Sequence, residues 1–305
     1  MFFRIISSSS SSDEDEEKNP PFFSVVIPTY ERPDDLRSCL ISLRKEAQAP
    51  CPEYEIIVSD DSRSDHCRNL VKNDFPEVSW GKGKQNGPAG NRNAGVARAQ
   101  GKWIVFIDDD CVAQPGYLKA YHHAIRSDSE VKVFEGMIFA ERSRCSWAEG
   151  CPENMHGGMF WTSNLCVEKN LFDKLNGFDE AFEVAFEDVD FAFRFKKLGT
   201  TTKFIKEASA MHPWRNLGVG DKNWKRKGYE LESLKIFVNK HGTNEYANSK
   251  SYLKNLLRML TRDLMKSLFV FKLRGFSFFI QNIYSTVLTL IFIFKYECTK
   301  KIKSA

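Results

Sequence analysis

The stretch that decides the fold is WIVFIDDD, residues 103–110, in which five apolar residues run directly into three aspartates. A short apolar run rich in β-branched and aromatic residues is typical of a buried strand. In open α/β sheets, ligands bind just beyond the carboxyl ends of the strands. Carboxylate oxygens suit hard cations such as Mg²⁺ and Mn²⁺. The stretch therefore predicts a divalent-metal site, with a solvated acidic turn as the alternative.

Two further apolar runs end in polar residues, FFSVVIPTY at 22–30 and EIIVSDDS at 55–62. The residues between them predict a helix over 34–47, with Leu36, Leu40 and Leu43 at core-facing spacing. Strand, helix and strand in this order form a right-handed parallel unit. The polar residues after the strands are therefore expected at one edge of the sheet.

The three runs resemble the glycosyltransferase family 2 domain. The resemblance extends, in the family's order, to GPAGNRNAG at 87–95 and FEDVDFAFR at 186–194, and it covers residues 22–213. It implies the GT-A fold, an α/β domain with a Rossmann-like, mostly parallel central sheet flanked by helices. Here a C-terminal helical extension is expected to follow. It also implies a metal-dependent, inverting transfer of a sugar from a nucleotide-sugar to a hydroxyl group.

The resemblance assigns the turn after the first strand, Pro28, Thr29 and Tyr30, to the nucleotide pocket together with Asp61. An ionised carboxylate at Asp61 would accept a hydrogen bond from a uracil N–H, and Tyr30 offers a stacking face. UDP is therefore the favoured nucleotide, with GDP and dTDP left open. The alternatives are a turn-forming aspartate and an ordinary half-buried tyrosine.

The glycine-rich segment 86–101 predicts a loop that runs into a helix and approaches an anion closely. Backbone N–H groups at a helix start and a guanidinium fork both bind phosphate. The resemblance places Arg92 near the diphosphate or base of the nucleotide. A plain glycine-rich connector is the alternative.

The resemblance gives the acid triplet the family's DxD position. Asp110 is then expected to contact Mn²⁺ or Mg²⁺ directly, Asp108 to act on the metal through water or on the ribose, and Asp109 to border the nucleotide-sugar. His212 is a candidate for a further metal ligand, although a lone histidine is commonly a packed or surface residue.

Glu187 and Asp188 begin a predicted helix beside the acceptor cleft. The resemblance makes Asp188 the general base that deprotonates the attacking hydroxyl. Like charges on Glu187 and Asp190 are expected to raise the pKa of Asp188, whereas the helix N-terminus lowers it. Helix capping by acids is the alternative.

The segment 157–164 is expected to line the sugar and acceptor cleft through Trp161 and Asn164. Trp161 would stack on a sugar face, with a core tryptophan as the alternative. A processive synthase would carry a Gln-x-x-Arg-Trp signature downstream, and here Trp214 and Arg215 stand in the reverse order. The resemblance thus implies a non-processive enzyme.

The chain has 305 residues, is 42% hydrophobic and carries a net charge of +4. We predict a disordered serine and acidic leader over 1–21, a catalytic domain over 22–245 and helices over 246–305. The apolar start of the chain is too short for a signal peptide. Eight scattered cysteines read as free thiols, so a cytoplasmic location is expected.

The C-terminal segment predicts contact with a membrane. Arg258, Arg262 and Lys266 recur every four residues among leucines, as in a basic amphipathic helix. Residues 276–294 are uncharged and nearly long enough to span a bilayer, yet Ser277, Gln281, Ser285 and Thr289 form a polar stripe. We expect attachment to the cytoplasmic face, with a packed helical pair as the alternative.

The expected acceptor is a glycan, a lipid-linked glycan or a small molecule in cell-surface glycan or polysaccharide biosynthesis, and no nucleic acid partner is expected. A nucleotidyltransferase that makes nucleotide-sugars is one alternative. It would carry a glycine-rich phosphate loop with a lysine after the first strand, but residues 29–33 contain no glycine. A GT-A scaffold without turnover is the other alternative.

Overall fold

The computed structural model describes residues 20–218 and 221–304. All but the last two residues of the predicted leader, 1–21, lie outside the described residues.

An eight-stranded sheet forms the centre of the protein, in the order β3-β2-β1-β4-β8-β6-β9-β5. Its strands are β1 Phe23–Thr29, β2 Tyr54–Asp60, β3 Ser79–Lys82, β4 Trp103–Ile107, β5 Val112–Ala113, β6 Val133–Ala140, β8 Asn164–Glu168 and β9 Thr202–His212. A separate two-stranded sheet pairs β7 Glu149–Gly150 with β10 Arg215–Asn216.

The GT-A arrangement predicted from the sequence is confirmed, although the sheet is mixed. Strands β3, β2, β1 and β4 are parallel, whereas β8 runs antiparallel to both of its neighbours, β4 and β6. The register pairs Thr29 with Asp60, so the ends of β1 and β2 coincide. The parallel half thus collects the polar residues of its strand ends at one edge.

Helices cover the sheet on both faces and continue beyond it. They are α1 Pro33–Ser42, α2 Lys45–Gln48, α3 His66–Asp74, α4 Pro88–Val96, α5 Tyr117–Ser127, α6 Lys169–Lys174, α7 Glu187–Lys197, α8 Asp221–His241, α9 Ser249–Arg258, α10 Leu264–Phe269 and α11 Phe276–Ser304, with a π-helical turn Met259–Asp263 between α9 and α10. The predicted helix over 34–47 divides into α1 and α2, and its Leu36, Leu40 and Leu43 are buried as expected.

Alternating strand residues build one hydrophobic core on each side of the sheet. Val25 and Val105 face the core under α1, α3 and α5, whereas Val26 and Ile104 face the core under α4, α6 and α7. Burial of both strand faces explains why these strands read as continuous apolar runs in the sequence. The two cores hold the carboxyl ends of β1, β2 and β4 in fixed positions.

Candidate active site

A cleft of about 1100 Å³ opens at the carboxyl ends of β1, β2 and β4. Among the residues predicted from the sequence, those that line it are Pro28, Thr29, Tyr30, Asp61, Arg92, Asp108, Asp109, Asp110 and His212. Glu187 and Asp188 lie at the start of α7, behind the Arg92 side chain, and are not part of the lining. Strand ends that are distant in sequence thus meet in one cavity, as ligand sites of open α/β sheets do.

Asp109 is held inside the protein. Its Oδ2 accepts a hydrogen bond of 2.7 Å from Thr29 Oγ1, and its Oδ1 lies 3.1 Å from Arg32 Nη1. Burial raises the pKa of Asp109 to about 7, although Arg32 and Thr29 act in the opposite direction. The side chains of Asp109 and Thr29 therefore brace the ends of β4 and β1 against each other.

Asp110 is surrounded by cationic groups. Its Oδ1 lies 3.2 Å from His212 Nε2, and its Oδ2 lies 2.9 Å from Arg215 Nε and 3.2 Å from Arg32 Nη1. Burial alone would raise the pKa of Asp110, but these neighbours lower it to about 2. The Asp110 carboxylate is therefore ionised at neutral pH.

His212 reaches Asp110 because β9 ends at this residue. The antiparallel pairing of β5 with β9 sets Val112 opposite Met211, which brings the segment after the acid triplet beside the end of β9. Burial opposes the charged imidazolium, yet the bond to Asp110 raises the pKa of His212 to about 10.

The donor set fits a divalent metal. Asp110, Cys111 and His212 each have one ligand atom within 4.8 Å of the others, and all three are buried. Carboxylate oxygen and imidazole nitrogen both suit Mn²⁺. Burial raises the pKa of the Cys111 thiol, which leaves Asp110 as the natural donor, joined by His212 once a metal displaces the Nε2 proton that it shares with Asp110. Asp108, the third residue predicted to serve the metal, is engaged elsewhere.

Arg92 joins the acid triplet to the start of α7. Its Nη2 lies 2.8 Å from Asp108 Oδ1, and its Nη1 lies 3.0 Å from Glu187 Oε1. The arginine is buried, so this bridge sits in a region of low dielectric where charged groups interact strongly. Arg92 thereby fixes both carboxylates while it lines the cleft.

Asp188 follows Glu187 in the first turn of α7, where its Oδ1 accepts a 2.7 Å hydrogen bond from Val189 N–H. Burial raises the pKa of Asp188, and the charge on Asp108 adds to this effect against Arg92. The direction agrees with the sequence prediction, but the proposed contribution of Asp190 does not appear. Asp190 is paired within the protein with Arg194 at 2.6 Å and hydrogen-bonded to His241 at 2.7 Å.

The opposite end of the cleft contains Asp61 and Tyr30. Asp61 is buried and accepts a 2.9 Å hydrogen bond from Gln85 N–H through Oδ1, while Tyr30 is 54% exposed. Burial raises the pKa of Asp61. A Cβ at Gly83 would lie 2.1 Å from Asp61 Oδ1, so only glycine lets this loop pass over the carboxyl group.

Asn164 is not in the cleft, contrary to the sequence prediction. It is 1% exposed and begins β8 in the middle of the sheet. Its amide donates to the carbonyls of Met137 and Ala208 at 3.0 and 2.9 Å, and it accepts from the hydroxyls of Tyr117 and Tyr121. All four hydrogen-bonding directions are satisfied inside the protein, so Asn164 organises the sheet.

Replacing Asn164 with leucine is therefore expected to lower the free energy of unfolding by about 3 kcal/mol or more, because it leaves several buried polar groups without partners. Urea denaturation followed by circular dichroism measures this change. Asn69→Leu, on the exposed side of α3, serves as the control. Equal stability of the two variants would contradict the assignment.

Trp161 is also absent from the cleft lining. It lies in a loop held by Glu135, a buried carboxylate that sequence analysis missed. Glu135 accepts hydrogen bonds from Asn154 Nδ2 at 3.0 Å and from the backbone N–H groups of Gly158, Met159 and Phe160. Trp161 is thus partly buried, in a loop whose path is fixed by the hydrogen bonds to Glu135.

Arg32 and Arg215 are the functional candidates that the sequence analysis did not select. Both pair with Asp110, and both line the cleft. A signal for Arg32 was present, since a cation directly after the first strand turn is close to the expected phosphates. Arg215 has no such signal, because its position depends on the pairing of β10 with β7.

The fold and the site together define a glycosyltransferase of the GT-A class. The model of the family described as glycosyl transferase family 2 matches residues 24–164, and that of glycosyl transferase family group 2 matches residues 103–295, which is more than half of the chain. The chain belongs to the family 2 glycosyltransferases.

Two curated relatives show how low the sequence identity between this chain and other glycosyltransferases is. An uncharacterized glycosyltransferase from Haemophilus influenzae is 24% identical over 56% of this chain and 60% of its own length. GalNAc(5)-diNAcBac-PP-undecaprenol beta-1,3-glucosyltransferase from Campylobacter jejuni is 34% identical over 28% of this chain and 29% of its own length. The chain thus covers less than two thirds of either relative.

Solved structures support the fold. TarS 1-349 from S. aureus in complex with UDP has a TM-score of 0.52 at 18% identity, covering 70% of this chain and 65% of that one. The mannosyltransferase PcManGT from Pyrobaculum calidifontis, in complex with GDP-Man and Mn²⁺, has a TM-score of 0.53 at 15% identity, covering 73% and 65%. At these identities the likeness concerns the fold.

Proposed function

We propose that the protein moves a sugar from a nucleotide-sugar to a hydroxyl acceptor in a metal-dependent, inverting and non-processive reaction. One observation carries the proposal. The buried pair of Asp110 and His212 lines the cleft, and Arg92, which also lines it, connects Asp108 of the cleft to Glu187, the neighbour of Asp188 at the start of α7. A leaving-group site in the cleft and a candidate general base directly behind its wall are the two groups that a single displacement requires.

The donor proposed is a UDP-sugar. Asp61 lines the cleft with one carboxylate oxygen already bonded to Gln85 N–H, and its second oxygen remains to accept from a base N–H. Tyr30 is exposed beside it and offers a ring for stacking. Proteins of the same fold are solved with UDP, as in TarS, and with GDP-Man, as in PcManGT, so the choice of UDP rests on Asp61 and Tyr30.

Asp110 and His212 would hold Mn²⁺ or Mg²⁺. When bound, the ion supplies positive charge against the departing diphosphate. Arg32 and Arg215 line the same part of the cleft and add two further positive charges. The helix α4 begins at Pro88 on the cleft wall, so its N-terminus also favours a phosphate group there.

Asp188 is the proposed general base. Its carboxylate removes the proton from the acceptor hydroxyl as that oxygen attacks the anomeric carbon, and the bond to the nucleotide diphosphate breaks in the same step. Inversion at the anomeric carbon follows, because no covalent sugar–enzyme intermediate forms. Arg92 orients this end of the cleft by holding Glu187 and Asp108.

The acceptor proposed is a hydroxyl of a glycan, a lipid-linked glycan or a small molecule, and the process is cell-surface glycan or polysaccharide biosynthesis on the cytoplasmic side. The name of the Campylobacter relative specifies a PP-undecaprenol-linked glycan, which favours the lipid-linked class. The reversed order of Trp214 and Arg215 supports addition of one sugar per encounter.

A donor panel tests the function. The protein is incubated with UDP-, GDP- and dTDP-sugars plus Mn²⁺ or EDTA, and transfer of the sugar to water is measured as release of nucleoside diphosphate and free sugar. We expect release from a UDP-sugar with Mn²⁺ alone. Synthesis of nucleotide-sugar from UTP and a sugar phosphate would instead establish a nucleotidyltransferase. No turnover of any donor, with nucleotide binding intact, would establish the scaffold.

The nucleotide pocket makes a separate prediction. Gly83→Ala places a methyl group against Asp61, so the affinity for UDP is expected to fall about tenfold or more, the cost of roughly one displaced hydrogen bond. Isothermal titration calorimetry measures the change. Gly228→Ala on α8, where nothing lies within 4 Å, is the matched control. Unchanged UDP affinity in Gly83→Ala would contradict the assignment of Asp61 to the nucleotide pocket.

A further inference from the structure

The C-terminal helices expose an unusual amount of apolar surface. Among the described residues, fourteen of the twenty-two exposed large hydrophobic side chains lie between Leu253 and Ile302. The six that precede α8 are scattered over the catalytic domain. Single exposed hydrophobic residues are normal, but a concentration of them marks an interaction surface.

On α9 and α10 the exposed apolar residues form a stripe beside the packed one. The packed stripe consists of Tyr252, Leu256, Met259, Asp263 and Ser267, and the exposed stripe of Leu253, Leu257, Leu260 and Leu268. A third stripe is basic, with Lys254, Arg258, Arg262 and Lys266 at four-residue spacing. An ordinary surface helix would be polar wherever it is not packed.

Helix α11 repeats this pattern. Phe278, Phe279 and Ile293 pack into hydrophobic clusters with the rest of the protein. The opposite side exposes Ile280, Tyr284, Leu288, Ile291 and Phe294, with no charged residue between 276 and 294. The helix therefore presents apolar surface both to the protein and to its surroundings.

Polar contacts fix α11 lengthwise against the protein. Near its start, Gln281 Oε1 accepts a 2.6 Å hydrogen bond from Asn223 Nδ2 of α8. Near its end, Glu297 accepts from Ser249 N–H at 3.1 Å and from Ser249 Oγ at 2.6 Å. Of the polar stripe predicted from the sequence, Gln281 and Thr289 face the protein, whereas Ser277 is exposed.

By length and composition α11 could span a bilayer, because the window within Phe276–Lys300 has a mean hydropathy of 1.6 and is 22% buried. The uncharged stretch 276–294 is about 28 Å long, close to the roughly 30 Å of a hydrocarbon core. Spanning, however, would break the hydrogen bonds of Gln281 and Glu297. It would also expose the surfaces of α8 and α9 that α11 covers. The contacts favour a helix that stays on the protein.

The charge of the C-terminal helices indicates the kind of partner that they bind. Residues 249–304 contain eleven lysines and arginines but only two acids, Asp263 and Glu297. Asp263 is buried and paired with Arg258 and Arg262, and Glu297 is hydrogen-bonded to Ser249. The whole chain has a net charge of only +4, so the remainder is acidic on balance. Positive charge is concentrated around the exposed apolar stripes.

We propose that α9, α10 and α11 form a docking face that lies in the plane of an anionic lipid bilayer without crossing it. The exposed apolar residues enter the boundary between headgroups and acyl chains, and the flanking lysines and arginines bind the anionic headgroups. Lipid docking is a binding property, so it holds independently of the proposed sugar transfer.

The packed side of the C-terminal helices adjoins the cleft. Leu217 follows β10, lines the cleft and packs against the cluster of Trp147, Phe271 and Phe279 at the base of the C-terminal helices. The C-terminal helices thus contact the cleft wall through their packed side, and a bilayer bound to their exposed side would be separated from the cleft by these helices.

Vesicle flotation tests the docking. The full chain is mixed with phosphatidylcholine vesicles with or without about 30 mol% phosphatidylglycerol. We expect flotation with the anionic vesicles only, and its loss at high salt. Ile291→Asn/Phe294→Asn and Lys254→Gln/Lys266→Gln should each reduce the bound fraction about fivefold or more. Flotation with neither vesicle would overturn the proposal.

Matched controls separate docking from general surface changes. Ile41→Asn/Leu198→Asn and Lys102→Gln/Lys119→Gln alter exposed residues elsewhere and should float like the unmodified protein. Thermal unfolding followed by circular dichroism should be equal in all four variants, which establishes that they fold. Equal loss of flotation in the controls, or a stable dimer by light scattering that breaks in Ile291→Asn/Phe294→Asn without any lipid binding, would overturn the proposal.

The thiol of Cys298 distinguishes docking from spanning. This cysteine is exposed near the end of α11. A membrane-impermeant maleimide is added outside vesicles that carry the bound protein, and modification of Cys298 is read by mass spectrometry. We expect Cys298 to be modified in the intact vesicles, more slowly than in lipid-free protein because it lies on the same side of α11 as Ile291 and Phe294. Protection of Cys298 until detergent opens the vesicles would establish a spanning helix and overturn the in-plane arrangement.

Discussion

Asp188→Asn is expected to lower kcat about 10³-fold, within the range of roughly 10²–10⁴ that a general base contributes. The amide keeps the size of the side chain but cannot take the proton of the acceptor hydroxyl. The KM for the donor and the affinity for UDP should change little, because Asp188 does not line the cleft where Asp61 and Asp110 lie. Steady-state kinetics with saturating donor measures both effects.

Asp190→Asn is the matched control on the same helix. Asp190 is paired with Arg194 and His241 inside the protein, so its replacement should lower stability while kcat stays within a few-fold. If Asp188→Asn kept more than a tenth of the original kcat, or if the two variants lost activity equally, Asp188 would not be the base.

The pH dependence of the reaction follows from the same residue. A general base must be ionised, and burial raises the pKa of Asp188 above its ordinary value of 3.8. The acid limb of kcat should therefore begin at a higher pH than for an exposed aspartate, with kcat falling as the pH decreases. A profile of kcat against pH at saturating donor measures it, and a limb at or below 3.8 would contradict the environment described for Asp188.

Asp110→Asn is the second variant with a large expected effect. The neutral side chain removes the strongest metal donor, so kcat/KM should fall about 10²–10³-fold, as expected for one lost electrostatic stabiliser of the leaving group. Binding of UDP should also become insensitive to Mn²⁺. Rates measured over a series of Mn²⁺ concentrations separate weaker metal binding from slower turnover.

Asp34→Ala provides the control for Asp110. Asp34 is exposed in the first turn of α1, close in the chain to Arg32 but without contact to the acid triplet. It should leave both kcat/KM and the Mn²⁺ requirement unchanged. Full activity of Asp110→Asn at ordinary Mn²⁺ concentrations would contradict the assignment of the metal donors.

The parts of the fold that could be predicted are those that local sequence determines. Strands β1, β2 and β4 are recognisable in the sequence as apolar runs, because both of their faces are buried. Each of them ends in polar residues. Parallel pairing then forces those ends to one edge of the sheet. The cleft and most of its lining follow from these two facts.

The remaining features depend on pairings between distant segments. Arg215 reaches Asp110 only because β10 pairs with β7, and His212 does so because β5 pairs with β9. Asn164 reads as a cleft residue in the sequence, but the antiparallel insertion of β8 between β4 and β6 buries it. A polar residue in a loop segment does not reveal which sheet position it will occupy.

We expect nucleotide to occupy the cleft only when the metal is bound. The measurement that tests it most directly is calorimetric titration of UDP into the protein with Mn²⁺ and with EDTA, repeated for Asp110→Asn. We predict that UDP binds tightly to the unmodified protein with Mn²⁺, and weakly in EDTA or in the variant. Binding of UDP that is equal in all conditions, or absent from all, would contradict the assignment of Asp110 and His212 to a metal centre for donor binding.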